Sequence, residues 1–326
     1  MVVKQKTRLE AQTKKIPPCL VCGNNRAKLL RTGIREDPTW PVYKCPRCFL
    51  QYIDPKYSDT KAYYQNQYRD RHDAVIGQRL TPEERFRQYW SAHLGQAGRL
   101  KEWLPEGCSV LEIGCSSGYM LDHLQQGGYD VYGAEWNPED AAWVRDVGGV
   151  PCEEGTLDEI YPGQQFTAIV ALQVLEHQPD PIAFLRQVKD RLIGGGYLYL
   201  ELPSASEALL TVYGIPEYKD FFYRESHITY WQVETISSVL SALGFEATVS
   251  VRQRYGLLDH LHWMMNRGPM ATFKEATDFL DFTPKAHPLY AIMARATGKL
   301  DKEDRIQLET LKAADTIIVK ARRRTI

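Results

Sequence analysis

The sequence predicts an α/β fold, a largely parallel sheet covered by helices, with a small four-cysteine module in front of it. Short apolar runs of strand type alternate with segments of helical period from about residue 81 onward. One of these runs leads into a glycine turn and then a helix, and two Cys-x-x-Cys pairs precede them all. The 326 residues, 44% of them hydrophobic, are enough for such a core and suggest two units.

The charge is unevenly distributed. The formal net charge is −1, but residues 1–48 hold 11 Lys or Arg against 3 Asp or Glu, so this part carries +8 and the rest −9. Near-neutrality of the whole argues against a coat protein for nucleic acid. We find no apolar run long enough for a membrane span and no signal-peptide pattern. We therefore expect a cytoplasmic protein with reduced cysteines and no membrane partner.

Four cysteines in the basic part have the spacing of a metal site. Cys19 and Cys22 form one pair, Cys45 and Cys48 the other, and Gly23 after the first pair suits a tight turn. Four thiolates make a closed tetrahedral zinc site, whose role is structural. A redox Cys-x-x-Cys is disfavoured because no thioredoxin-like βαβ pattern surrounds either pair.

The following elements are justified by period and by helix-end signals. A capping box at Thr81–Glu84 begins a long amphipathic helix that extends to Leu104. Further helices begin after Gly118, at Asn137 and at Asp180, the last of them stopped by the glycines at 194–196, and another covers 235–243. Strands are expected at 109–114, 130–134, 166–172, 196–202, 245–251 and 315–321.

The glycine turn at the end of the first of these strands has the strand-turn-helix pattern of a ligand-binding site. Such turns present backbone N–H groups at the carboxyl edge of an α/β sheet. The glycine spacing of a dinucleotide site and the Gly-Lys-Ser/Thr of an ATP site are both absent. Glu135 ends the next strand, 21 residues beyond Gly114, where a carboxylate accepts hydrogen bonds from both hydroxyls of a ribose.

Five motifs in order carry a family resemblance. Leu111–Gly118, Gly133–Glu135, Gly155–Asp158, Val174–His177 and Leu192–Gly196 resemble the motifs of class I S-adenosylmethionine-dependent methyltransferases. The match covers roughly residues 85–251. The resemblance implies S-adenosylmethionine as cofactor and a Rossmann-like seven-stranded sheet whose last strand is antiparallel and lies beside the fifth.

The resemblance also implies roles for individual residues. Glu112, Gly114 and Gly118 would hold the methionine portion, Glu135 the ribose, Thr156 and Leu157 the adenine edge, and Gln173 would lie beside the sulfonium. Ser116 departs from the family's usual glycine and leaves less room for the cofactor's amino-acid tail. The full predicted cofactor set is Glu112, Gly114, Ser116, Gly118, Glu135, Trp136, Thr156, Leu157 and Gln173.

Two histidines and one tyrosine are candidates for proton transfer. His177 follows the fourth strand at the ligand edge, and His227 lies in a long aromatic connection, 203–230, that we interpret as a substrate cap. The cap and the cysteine module together resemble zinc-containing methyltransferases that act on sugars and natural products. That resemblance implies Tyr223 and His227 as the proton-transfer pair, although the spacing between them here is wider than in that subgroup.

The predicted organisation is a zinc ribbon at 1–56, a linker and lead-in helix at 57–107, and a catalytic domain at 108–326 with a helical insertion at 252–313. The predicted reaction is methyl transfer to a hydroxyl, or an acidic carbon, of a small molecule such as a sugar or nucleotide sugar, which could carry a phosphate. Two alternatives stay open. One is an RNA-modifying enzyme that uses the basic module to hold phosphates, and the other is a non-catalytic binding protein with the same fold.

Overall fold

The computed structural model describes residues 16–57, 64–65, 69, 79–270 and 288–325, with side chains at all of these except 57 and 288–294. The predicted units at 1–56, 57–107 and 252–313 therefore lie partly outside the described residues. The strands are β1 (Lys28–Thr32), β2 (Pro41–Lys44), β3 (Gln51–Ile53), β4 (Ser109–Ile113), β5 (Asp130–Ala134), β6 (Cys152–Glu153), β7 (Phe166–Leu172), β8 (Leu192–Pro203), β9 (Thr229–Tyr230), β10 (Phe245–Arg252) and β11 (Thr316–Arg323). The helices are α1 (Pro82–Trp90), α2 (Leu94–Trp103), α3 (Tyr119–Gln126), α4 (Pro138–Asp146), α5 (Pro181–Arg191), α6 (Ala208–Thr211), α7 (Pro216–Phe222), α8 (Val233–Ala242), α9 (Leu257–Asn266) and α10 (Pro288–Thr310).

The main sheet has seven strands in the order β10-β11-β8-β7-β4-β5-β6. Neighbours from β8 to β6 are parallel, whereas β11 runs antiparallel to both β8 and β10. The predicted α/β class and the inserted antiparallel last strand are therefore confirmed. The chain turns from one half of the sheet to the other between β4 and β7, which is where sheets of this kind bind ligands.

Burial on both faces explains why the strands are nearly continuous apolar runs. Leu111 and Ile169 are fully buried in the core on one face, and Val110 and Val170 are fully buried in the core on the other. Alternate strand residues point to opposite faces, so helices on both sides require apolar residues at every position. Each such side chain contributes roughly 1.5–3 kcal/mol by its burial.

The lead-in helix is not continuous, contrary to the prediction. Its capping box is present, with Thr81 and Glu84 in reciprocal hydrogen bonds, but α1 ends at Trp90 and a 3-10 turn at Ser91–His93 separates it from α2. The His93 Nδ1–H donates to the Tyr89 carbonyl at 2.8 Å. A side chain that bonds the carbonyl four residues back competes with the helical hydrogen bond there.

The glycines at 194–196 do not stop a helix, which is a second correction. The helix α5 ends at Arg191, and these glycines belong to β8, where the register with β7 shifts. Gly195 has a φ of +76°, and a Cβ on Gly196 would lie 3.0 Å from the Ile193 carbonyl oxygen. Glycine is needed here because the strand is irregular and tightly packed.

A second, antiparallel sheet joins two parts of the chain that are far apart in sequence. Its order is β1-β2-β3-β9, so the cysteine module supplies three strands and the predicted cap supplies the fourth. The described parts of the predicted 252–313 insertion contain the helices α9 and α10, while 271–287 lie outside the described residues. In the described part of the chain, no helix is both long and apolar enough to cross a membrane.

Candidate active site

A cavity of about 710 Å³ opens at the carboxyl ends of β4, β5 and β7. Its volume lies within the range of roughly 300–1,000 Å³ that is usual for small-molecule sites. All the predicted cofactor residues line it except Gly118, which lies at the start of α3. Of the three predicted proton-transfer residues, His177 lines the cavity, whereas Tyr223 and His227 do not.

The glycine turn after β4 is shaped by three residues with positive φ, namely Gly114 (+71°), Ser116 (+51°) and Gly118 (+78°). A Cβ on Gly114 would lie 2.8 Å from Val174 Cγ2, and one on Gly118 would lie 2.9 Å from Val144 Cγ2. Both glycines are therefore required by backbone conformation and by space. The turn leaves room at the sheet edge for a ligand to approach the backbone closely.

Two buried carboxyl groups face this turn. Glu135 accepts hydrogen bonds from the Ser116 N–H at 2.8 Å and from the Asn137 N–H at 2.9 Å. Glu112 is only 2% exposed, and its Oε2 has no hydrogen-bond partner in the described chain. Burial, with the nearby Glu135 charge, raises the pKa of Glu112 well above its usual range. An unpartnered buried acceptor fits a cofactor that brings its own donor.

The sequence analysis did not identify the buried ion cluster behind the turn. Asp140, which is fully buried, accepts hydrogen bonds from Arg69 Nε at 2.7 Å and from Arg85 Nη1 at 2.6 Å. Arg69 also donates to Ser116 Oγ at 3.0 Å. The serine that departs from the family pattern therefore connects the glycine turn to the lead-in segment. No sequence motif indicated this cluster because its members lie on three separate segments.

The loop at the predicted adenine edge is held by one side chain. Arg191, the last residue of α5, donates to the carbonyl of Leu157 at 2.7 Å, and to those of Tyr161 at 2.6 Å and Gln164 at 3.0 Å. A guanidinium has five donors in a rigid fork, so it can satisfy several carbonyls at once. This places Thr156 and Leu157 at the cavity wall.

His177 has one ring nitrogen hydrogen-bonded to a carbonyl and the other 3.7 Å from Glu176 Oε1. Its Nδ1 lies 2.5 Å from the Ser226 carbonyl oxygen, so Nδ1 carries the proton and Nε2 the lone pair. Burial lowers the pKa of His177 to about 3, so the ring is neutral at physiological pH. The adjacent Glu176 is buried as well, and burial raises its pKa to about 8.

His227 and Tyr223 lie behind the cavity wall. Arg224 donates to His227 Nε2 from Nε at 2.8 Å and from Nη2 at 2.5 Å, while His227 Nδ1 has no partner in the described chain. Burial and the Arg224 charge lower the pKa of His227 well below its usual value. The Tyr223 hydroxyl bonds to Gln51 Oε1 at 2.6 Å, on the cysteine module.

Further cavity-lining groups were missed by sequence reasoning. His93 repeats the pattern of His177, since its Nδ1–H is donated to a carbonyl and burial lowers its pKa. Arg224 and Arg254 also line the cavity, from the segments that follow β8 and β10. These three residues line one cavity only because of the tertiary structure. No pattern in a single sequence indicates that they do.

The four cysteines form one cluster. Their Sγ atoms all lie within 4.8 Å of one another, with Cys19–Cys48 at 3.4 Å and Cys22–Cys45 at 3.5 Å. These separations are too long for disulfides, which have S–S bonds of about 2.05 Å. A tetrahedral zinc ion with Zn–S bonds of about 2.3 Å separates its sulfurs by about 3.8 Å, so the cluster fits one.

Solved structures to which the chain is similar include an S-adenosylmethionine-dependent methyltransferase from Archaeoglobus fulgidus, with a TM-score of 0.48 and 15% identity over 74% of this chain and 97% of that one. The plantazolicin methyltransferase BpumL in complex with SAH has a TM-score of 0.48 and 11% identity over 83% of this chain and 96% of that one.

Two curated relatives are similar over part of the chain. A ubiquinone biosynthesis O-methyltransferase from Paramagnetospirillum magneticum is 26% identical over 53% of this chain and 71% of its own length. A tRNA U34 carboxymethyltransferase from Alteromonas mediterranea is 31% identical over 29% of this chain, and the match spans only 32% of that protein.

A family model described as a methyltransferase domain matches residues 83–250, which is more than half of the chain. The matched residues run from α1 into β10. They include every residue that lines the cavity described above except Tyr64, Arg69 and Arg254. The chain therefore belongs to this methyltransferase family and is an S-adenosylmethionine-dependent methyltransferase.

Proposed function

We propose that this protein methylates a hydroxyl group, or an acidic carbon, of a small molecule such as a sugar, a nucleotide sugar or another natural-product intermediate. The observation that carries the proposal is the position of His177 in the cavity wall, with its proton on Nδ1 and an unprotonated Nε2. Such an acceptor must lose a proton as it gains the methyl group, and a positioned neutral imidazole can take that proton.

The residues around the glycine turn fit S-adenosylmethionine, which supplies an electrophilic methyl group when bound. Glu112 has an unpartnered buried acceptor and Gln173 an unpartnered buried Nε2, both in the described chain and both at the cavity. Glu135, Trp136, Thr156 and Leu157 extend along the same wall. We assign the cofactor to this half of the cavity and the acceptor to the half near His177.

The role of Glu135 is tested by Glu135→Ala. We expect SAH affinity to fall well over tenfold in calorimetry, because a ribose would lose both of its hydrogen bonds. An unchanged affinity would remove the assignment. The exposed Glu139→Gln, four residues along, is the control for a general change of local charge.

His177→Asn tests the base. We expect kcat to fall by roughly 10²–10⁴, the usual contribution of a general base, with SAH affinity retained. Tyr223 and His227 are the alternative pair, so Tyr223→Phe and His227→Ala are measured beside it. Full activity of His177→Asn with loss of activity in His227→Ala would transfer the role to the cap.

We also propose that Cys19, Cys22, Cys45 and Cys48 hold a structural zinc ion. Four thiolates leave no open coordination position, so the ion would stabilise the module without reacting. We expect one zinc per chain by elemental analysis and loss of acceptor turnover after chelation, with SAH affinity within twofold. A metal-free protein with full turnover would contradict this.

Exposed cations on the cysteine module favour RNA as a second candidate acceptor. Arg26, Lys28 and Arg47 all project into solvent there. An RNA acceptor would bind at low salt and be released steeply as salt rises, since each phosphate contact displaces counterions. Absence of RNA binding at low salt would dismiss this candidate.

A further inference from the structure

Arg224 and Arg254 differ from the other two arginines of the cavity. Arg69 and Arg85 are both paired with Asp140. Neither Arg224 nor Arg254 is in an ion pair with any carboxylate in the part of the chain that the structure describes. Within the described residues the cavity therefore contains two guanidinium groups without a carboxylate in direct contact, while Glu201 and Asp315 act on Arg254 from farther away and raise its pKa.

Arg224 is held in place by a neutral partner. Its Nε and Nη2 donate to His227 Nε2, an imidazole nitrogen that can accept only when it carries no proton. The buried Glu176 is within electrostatic reach of Arg224, but burial raises the pKa of this carboxyl to about 8, so it carries little charge at neutral pH. The guanidinium is thus oriented by His227 while its positive charge stays uncompensated.

Arg254 is held by its backbone. Its N–H donates to Asp315 Oδ2 at 2.8 Å, and its carbonyl accepts from Arg305 Nη1 at 2.8 Å. Its guanidinium makes no hydrogen bond within the described residues, yet it lines the cavity. Both arginines line the same cavity, and the positive charge of each opposes the rise in the pKa of Tyr255 that burial causes.

The two arginines lie away from the acids of the cofactor half. Glu112 is on β4 and Glu135 follows β5, whereas Arg224 and Arg254 lie beyond β8 and β10, on the other half of the sheet. The two arginines therefore lie on the side of the cavity where we place the acceptor, apart from Glu112 and Glu135. A guanidinium fork matches the planar oxygens of a carboxylate or the oxygens of a phosphate.

We propose that Arg224 and Arg254 form a clamp for an oxyanion, a carboxylate or a phosphate, on the methyl acceptor. The inference rests on the proposed function and narrows the acceptor to an anionic molecule that carries its reacting group near His177. The clamp would position this group by holding the far end of the molecule, which is how remote binding contacts assist a displacement reaction.

The test uses the full chain saturated with SAH and three probes of similar ring size, namely benzoate, phenyl phosphate and neutral phenol, with binding followed by calorimetry and ligand-observed NMR. We expect benzoate or phenyl phosphate to bind at least tenfold more tightly than phenol. The anion that binds more tightly shows whether the clamp prefers a carboxylate or a phosphate. Arg254→Gln should weaken that anion at least fivefold while SAH affinity stays unchanged. Arg224→Gln should also weaken binding of that anion. The Arg254→Gln result is the decisive one, because Arg224→Gln also removes the hydrogen bonds between Arg224 and His227.

The exposed Arg87→Gln, which removes only a surface pair with Glu83, is the matched control and should leave anion binding unchanged. Equal binding of phenol and the anions would overturn the clamp, and so would variants that lose SAH affinity, since the arginines would then hold the cofactor's own carboxylate. A protein that binds SAH but no anion refutes only the clamp. Failure to bind SAH would refute the proposed function itself.

Discussion

Replacing Asp140 by asparagine removes the carboxylate that two buried arginines share, without changing the shape of the side chain. Asp140 is fully buried and accepts hydrogen bonds from Arg69, Arg85 and the Ser117 hydroxyl, the last at 2.9 Å. The side chains of Arg69 and Arg85 are only 9% and 5% exposed. The asparagine would remove the carboxylate charge that these two buried guanidiniums share.

The expected cost follows from this geometry. Breaking a buried ion pair by removing one partner costs roughly 3–5 kcal/mol, because the remaining charge stays desolvated. In a domain of 150–250 residues each kcal/mol lowers Tm by roughly 2–4 °C, so we expect a loss of roughly 6–20 °C. Arg69 also bonds to Ser116 in the glycine turn, so SAH affinity should fall together with stability.

The assay is a thermal melt with and without SAH, with Glu139→Gln as the control. Glu139 lies next to Asp140 in the first turn of α4, but its side chain is 62% exposed and its partner Arg79 is 3.6 Å away. Both variants remove one negative charge near a helix N-terminus. An exposed pair contributes at most about 1 kcal/mol, so an equal, small effect of both substitutions would refute the reasoning.

Three further predictions concern other parts of the fold. Phe49→Gly should stabilise the protein by about 0.5–1 kcal/mol in urea denaturation, because Phe49 has a φ of +62° and is half exposed, and a loss would contradict this. Glu176→Gln should flatten the pH dependence of stability. The raised pKa of Glu176 contributes stability below its ordinary pKa of about 4.5 that is lost as pH rises through about 8, so an unchanged profile would argue against it. Arg191→Lys keeps the positive charge but removes the planar guanidinium that bonds several carbonyls at once, so SAH binding should weaken at least fivefold in calorimetry. An equal affinity would show that the loop containing Leu157 does not depend on these hydrogen bonds.

The strands of the main sheet were predictable because of where they lie. Strands buried on both faces are apolar at nearly every position, and β7 and β8 have this pattern in the sequence alone. The two-residue strands β6 and β9 are too short for any periodicity. The strand β9 exists because Thr229 pairs with Tyr52, a residue far away in sequence. The glycines at 194–196 misled the prediction because a local signal for a helix end is also a signal for a strand irregularity.

The same limit applies to the cavity. Strand-end residues such as Glu112 and Glu135 could be assigned because a parallel sheet brings its carboxyl ends together at one edge. The other half of the cavity depends on loops that converge only in three dimensions. Arg224 and Arg254 belong to different crossovers, and His93 lies in the 3-10 turn that interrupts a helix whose sequence pattern is continuous. No local pattern marks such residues, so they follow from tertiary structure alone.

The cysteine module is continuous with the wall where we place the acceptor. The Ile53 N–H on β3 donates to the Ile228 carbonyl at 2.9 Å, and the Ile228 N–H donates to the Glu176 carbonyl at 2.8 Å. Two backbone hydrogen bonds thus connect the module to the turn that carries His177. Because Arg224 lies in the same connection as Ile228, the module supports both the candidate base and one half of the clamp. A metal in this module would therefore act on catalysis through position, by fixing the wall against which the acceptor binds.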